Sequence, residues 1–368
     1  RNWIAREEAA KITLNTLKFF LNSVQSTDTN ATGYKGFYYH FLRMNSGTRE
    51  WNCELSSIDT GLLMMGIIFA RNYYNLDNET ENKIRLNAEK LLERLDWDFF
   101  EMPPKGKYAH TISMGWDPKE GMHQMGWAGY NEALFLYILA AGSGMENVDA
   151  AYNSWLASYD WRTPYPNLSH AVFPPLFGHQ FAQTFIDFRG LVDRYMKEKG
   201  IDYFENSRRA TLVQRLYAID NPYSWNGYDS LCWGISASDG PTEKYNFDDK
   251  KFLGYAGRGT SGPDLNYFDD GTIAPYAAIS SIVFAPEIVI PTINNFNQKY
   301  ADKLWGPYGY FDSFNPTLNW INKEYIGIDQ GPLLLMIENF RSGLVWDYVM
   351  KDTVIQKGLT RLGFEYFE

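Results

Sequence analysis

Apolar residues recur along this chain at helical spacing, in two alternating forms. Residues 5–24 and 79–96 are apolar along one face only, whereas 57–74 and 131–141 are apolar almost all round. A helix with one apolar face lies at a surface, and one apolar on every side has to be buried. Segments 147–158, 178–198, 203–219, 274–284, 286–300 and 329–341 show the same helical period. Outer helices covering inner ones make a two-layer architecture. At about 30 residues per helix plus loop, the chain accommodates roughly twelve helices. That number suits six helical hairpins closed into a ring, and residues 1–368 are expected to form one domain.

Strand signals are sparse. Residues 33–41 and 231–238 are rich enough in aromatic and small residues for short rim hairpins. Four long connections, about 27–53, 97–125, 221–270 and 304–326, interrupt the helical pattern with Gly, Trp, Tyr and Asp. Long loops of this kind are usually functional, and 221–270 is expected to build a cleft rather than act as a linker.

The net charge of −10 repels polyanions, and no basic run offsets it, so nucleic acid is not an expected partner. A neutral, hydroxyl-rich ligand is compatible with an acidic cleft. Aromatic residues make up 17% of the chain, with 12 Trp. Most of the Trp lie in the Gly- and Asp-rich connections, where they suit stacking on the C–H faces of sugars. No apolar run is long enough for a membrane span. Cys53 and Cys232 make neither a disulfide framework nor a zinc site. The chain begins at Arg1 rather than Met, as expected of a mature chain whose leader has been removed.

Three acids stand where apolar helices begin: Asp59, Glu132 and Asp329. A fourth, Asp187, lies two residues before Arg189. In a helical ring, inner-helix ends surround the centre, so these carboxylates would converge. An acid in a first helical turn also satisfies backbone N–H groups and the helix dipole, and that reading explains Asp59, beside Ser56 and Ser57, readily. It explains Glu132 less well, since Ala-Leu-Phe-Leu-Tyr follows directly. Burial raises a carboxyl pKa and makes a proton donor near neutrality. Glycosidic cleavage needs such a donor and a second carboxylate that activates water or attacks the sugar. Glu132 is therefore the candidate general acid and Asp59 its candidate partner, with Glu54 and Asp187 as alternatives. Arg189 is a candidate for a sugar hydroxyl or for a structural ion pair. His40, His110, His123, His170 and His179 show no metal-ligand spacing, so neither a metal nor a cofactor is expected. A hydrogen-bonded core role is the favoured reading of His179.

Four blocks carry a family resemblance: WNCELSSIDTGLL at 51–63, FGHQFAQTFIDFRG at 177–190, YSWNGYDSLCWGISASDG at 223–240 and WGPYGYFDSFN at 305–315. Together they resemble the bacterial glucoamylase-like proteins, a group that includes the endo-β-1,2-glucanases of glycoside hydrolase family 144. The resemblance covers essentially the whole chain. It implies an all-α (α/α)6 toroid with long rim loops, inverting hydrolysis of β-1,2-glucan, and export to the periplasm or cell surface. It places Asp59 and Glu132 among cleft acids. Trp51, Glu54, Asp187, Arg189, Trp225, Asp229, Trp233, Tyr325 and Asp329 are then expected to line sugar subsites, and the partner is a glucan bound by a monomer. Two other functions remain open: hydrolysis of another linkage (an α-glucan or β-1,4-glucan) on the same scaffold, and a non-catalytic glycan-binding protein. A panel of glucans separates these, because the last would bind without cleaving.

Overall fold

The computed structural model describes residues 3–245, 247, 249–265 and 267–367. Contacts divide the chain into two compact units. The first comprises Arg1–Gly129, Ala133–Ser158 and Asp347–Glu365; the second comprises Tyr130–Glu132, Tyr159–Trp346 and Tyr366–Glu368.

In the first unit the helices Arg6–Asn22, Ser57–Tyr73, Glu79–Glu93, Leu134–Ser143 and Val148–Ala157 follow the sequence periodicity. Glu79–Glu93 buries only a stripe that includes Ile84, Ala88, Leu91 and Leu92, and the side chain of Asn78 caps its start by accepting from Glu81 N. Leu134–Ala141 is buried at every position, as apolarity on all sides requires. A further helix, Thr353–Arg361, lies against Leu134–Ser143 at glycine contacts. A Cβ on Gly142 would meet Val354 O at 1.9 Å, and one on Gly358 would meet Ile138 O at 2.0 Å. Only glycine at both positions lets the two backbones approach this closely. Asp352 caps this helix and takes a two-pronged ion pair from Arg71 (2.6 and 3.2 Å).

The 33–41 hairpin is present and grows into a five-stranded antiparallel sheet in sequence order: β1 Gly33–Tyr34, β2 Phe37–Tyr39, β3 Leu55–Ser56, β4 Gly115–Asp117 and β5 Gly121–Met122. Tyr39 pairs with Leu55, and just beyond that pair His40 N–H donates to Glu54 O at 2.9 Å. The register thus sets His40 opposite Glu54.

In the second unit, helices Tyr203–Asp220, Pro286–Lys299 and Gly327–Ser342 lie where the periodicity put them, and Pro275–Ile279 continues as the 3₁₀ turn Ser280–Val283. The helix expected over 178–198 does not form as one piece. A 3₁₀ turn, Leu176–His179, leads into a single α turn, Phe181–Phe185, and helix resumes only at Arg194–Lys199. Asp187 accepts from the Arg189 N–H at 3.1 Å, and Asp193 caps the next helix at Met196 N. Side chains of this type offer the backbone an alternative to helix, and Gly190 at φ +68° completes the turn.

The long 221–270 connection is anchored from several sides. Gln214, on the Tyr203–Asp220 helix, donates to Pro174 O, Ile235 O and Thr260 O and accepts from Ile235 N–H. Asp269 accepts from Tyr217, Trp225 and Tyr228. Arg258 and Asp270 form an ion pair at 2.8 Å with both side chains fully buried, and Arg258 also donates to the carbonyls of Ser238, Leu253 and Gly254. From the expected 231–238 strand, Ala237–Ser238 pairs with Ala256–Gly257, and Cys232 makes a single antiparallel bridge to Asp229.

Candidate active site

The first unit brings two of the proposed acids together. Ser56 ends β3 and caps the Ser57–Tyr73 helix: its Oγ accepts from Asp59 N–H at 3.1 Å and donates to Asp59 Oδ2 at 2.6 Å. Helix capping therefore fixes where the Asp59 carboxylate points. His40 joins it to Glu54, with Nδ1 at 2.9 Å from Glu54 Oε1 and Nε2 at 3.5 Å from Asp59 Oδ2. Burial raises the Asp59 pKa, against the opposing pull of His40 and Ser56. Glu54 is held low, chiefly by its hydrogen bond to His40. His40 is raised overall: burial works against its charge, and the two carboxylates outweigh burial.

A row of rings leads up to this group. Phe41 stacks on His40 at 4.1 Å, and Trp51 meets Phe41 edge-on at 5.0 Å. Trp51 is 70% exposed, an open face suited to a sugar. Beneath them, Arg49 is buried, lies over the Tyr39 ring and pairs with Asp117 at 2.5 Å. A cavity of about 330 Å³ beside the sheet is lined by Met114, Gly121, Met122 and His123, among others.

In the second unit, Glu132 lies in the turn immediately before the Leu134–Ser143 helix and is buried. Its neighbour Tyr130 sits among Tyr159, Tyr203 and His179 and hydrogen-bonds Ser207 and Asn206, which fixes the turn. His179 is a core histidine, as favoured above: its Nε2 meets Phe173 O at 3.2 Å, and burial pushes its pKa well down.

The same unit holds a second carboxyl cluster. Asp329 lies in the first turn of the Gly327–Ser342 helix and hydrogen-bonds Asp312, and both are buried. Asp312 Oδ2 accepts from Asp239 N–H at 2.9 Å, while Asp239 takes the Asn322 amide at 2.8 Å. Burial first, and then the neighbouring Asp312 carboxylate, drives the Asp329 pKa strongly upward. Two carboxyls in contact away from water cannot both ionise, so one keeps a proton.

The other expected subsite residues fall elsewhere. Trp225 and Trp233 are core side chains, 3% and 0% exposed. Their indoles pack inside the protein, with Trp225 donating to Asp269, and they offer no open platform. Position in a Gly- and Asp-rich loop suggested exposure, but that loop folds into the core. Asp187 and Arg189 form a two-pronged ion pair at 2.6 and 2.8 Å, with the guanidinium 4.6 Å above the Trp346 ring. Asp229 is half exposed and lies 3.9 Å from Lys299. The Tyr325 hydroxyl accepts from Tyr308 N–H, and its ring packs on Phe311.

The family model described as "Putative glucoamylase" matches residues 124–353. A Bacteroides uniformis protein described in the same words is 31% identical and superimposes with a TM-score of 0.83, over 99% of this chain and 84% of its own. The chain belongs to this glucoamylase-like family. Its helix-rich fold is shared with an endo-β-1,2-glucanase of Chitinophaga pinensis solved with sophorotriose and glucose (26% identity, TM-score 0.82, 99% of this chain and 84% of that one). An exo β-1,2-glucooligosaccharide sophorohydrolase of Parabacteroides distasonis is 25% identical over 98% of this chain and 50% of its own length. The chain thus spans about half of that curated relative.

Two residues of this glucoamylase-like chain, one in each unit, join these carboxylate clusters on structural grounds alone. His40 carries no motif signal, since only the β2–β3 register brings it to Glu54. Asp312 stands inside the WGPYGYFDSFN block, but nothing in the sequence pairs it with Asp329.

Proposed function

We propose that the chain is a glycoside hydrolase that cuts β-1,2-glucan by an inverting two-carboxylate mechanism, on an (α/α)6 toroid. The observation that carries this reading is the whole-chain likeness to the Chitinophaga pinensis β-1,2-glucanase. In this mechanism Glu132 gives its proton to the glycosidic oxygen as the bond from that oxygen to the anomeric carbon breaks. Asp59 takes a proton from a water whose oxygen bonds the same carbon from the opposite face. Inversion requires the two carboxyls to stand roughly 6.5–9.5 Å apart, leaving room for that water. Burial of Glu132 suits a group that must hold a proton, and the exposed Trp51 face suits a glucosyl ring.

The test is a panel of linear β-1,2-, β-1,3- and β-1,4-glucans and an α-glucan, with products separated by chromatography. Cleavage of β-1,2-glucan alone supports the reading; cleavage of an α-glucan instead defeats it. Glu132→Gln should lower turnover by about 10²–10⁴-fold with an unchanged circular dichroism spectrum. Full activity in that variant removes Glu132 from the mechanism.

A further inference from the structure

We infer that His40 is a positioning residue: as an imidazolium bridging Glu54 and Asp59, it keeps Asp59 ionised and aimed, so that Asp59 rather than Glu54 receives the proton from water. This deepens the proposed function and rests on it.

The inference stands on one hydrogen bond and one ion-pair contact. Each ring nitrogen of His40 faces a carboxylate oxygen, at 2.9 Å on Glu54 and 3.5 Å on Asp59. A neutral imidazole has one N–H and one lone pair, so one of these contacts would set a lone pair against a carboxylate. Only the protonated ring both donates to Glu54 and turns a positive N–H toward Asp59. Its plane is fixed by the stacked Phe41 ring, 4.1 Å away at an interplanar angle of 18°, and its backbone by the bond to Glu54 O. The Ser56 hydroxyl donates to the same Asp59 oxygen that faces His40. Asp59 Oδ2 therefore takes the Ser56 hydroxyl and faces the His40 ring, which fixes how the carboxylate is aimed.

The other groups facing this cluster are His123, which acts on Glu54, and Arg49, which with Glu54 acts on Cys53. Arg49 is committed to Asp117 and to Cys53 O, so it does not substitute for His40. The bridge also divides labour between the acids. Glu54 takes the shorter contact and is the anchoring counter-ion. Asp59, at the longer contact with His40, keeps the basicity that Glu54 has lost.

The ring protons of the five histidines report the bridge directly, in protein labelled with ¹³C at histidine and titrated by NMR. Loss of one signal in His40→Gln assigns His40. His40 is expected to titrate above the ordinary histidine value in the wild type, and to move down in Glu54→Gln. In the pH profile of kcat/KM on β-1,2-glucan, His40→Gln is expected to move the acid limb up by about one unit, because Asp59 loses its facing cation, and to lower kcat by ~10²-fold. A purely structural histidine would lower activity without moving that limb. Titration of His40 at or below the ordinary value, or an acid limb unmoved in His40→Gln, overturns the inference. A wild-type enzyme that cleaves no glucan sinks the proposed function instead, and the NMR titration still reads the bridge.

Discussion

Replacing Asp312 by asparagine should stabilise the protein at alkaline pH, although it alters a fully buried polar residue. Asp312 and Asp329 hydrogen-bond each other out of contact with water. The folded pKa of Asp329 is raised above its unfolded value, by burial first and by the Asp312 carboxylate second. A carboxyl shifted in this direction favours the folded state at low pH. That contribution is complete below the unfolded carboxyl pKa and is lost as pH rises toward the folded one. While the folded state holds one more proton than the unfolded chain, stability falls by about 1.4 kcal/mol per pH unit. The substituted amide keeps an oxygen for the Asp239 N–H and turns an N–H donor toward Asp329, which can then ionise without a facing charge. Desolvation of Asp329 remains, so only part of the slope disappears. Between pH 5 and 8 we expect Asp312→Asn to gain about 1–3 kcal/mol relative to wild type. Urea unfolding followed by tryptophan fluorescence at both pH values measures the difference. A variant destabilised equally at pH 5 and pH 8 would refute the shared-proton pair.

Other expectations follow from the anchoring of the 221–270 connection. Arg258→Met leaves Asp270 charged and buried without its partner, and should cost about 3–5 kcal/mol in urea unfolding; a loss under about 1 kcal/mol would show that the pair does not hold this loop. Trp225→Ala should cost about 3–5 kcal/mol as a core truncation, with KM on short β-1,2-glucooligosaccharides little changed. A raised KM at unchanged stability would return Trp225 to a sugar subsite.

Most long helices were legible in the sequence because their signal is local. Apolar spacing, an Asn78 cap and a buried run such as Leu134–Ala141 need no knowledge of distant residues. The 178–198 segment misled for a local reason as well: Asp187 and Asp193 hydrogen-bond backbone N–H groups and break a helix that apolar spacing alone would continue. Thr353–Arg361 buries Ile355, Gly358 and Leu359 at helical spacing, so its periodicity is local, but its glycine contacts with a helix far earlier in the chain are not. The candidate site divided along the same line. Asp59 and Glu132 were visible as acids at helix starts. His40 and Asp312 were not, because their roles depend on β-strand register and on a carboxyl contact between a loop and a helix start. Trp225 and Trp233 show the converse, since loop composition suggested open faces and Gln214, Asp269 and Arg258 draw that loop into the core.

The central claim is that one carboxyl protonates the leaving oxygen while another activates water on the opposite face of the sugar. Proton NMR of the first reducing ends released from linear β-1,2-glucan, recorded before mutarotation, tests this most directly. The account predicts α-anomeric ends appearing first. Ends that appear first as the β-anomer would mean retention, with a covalent glycosyl-enzyme in place of the water activated by Asp59.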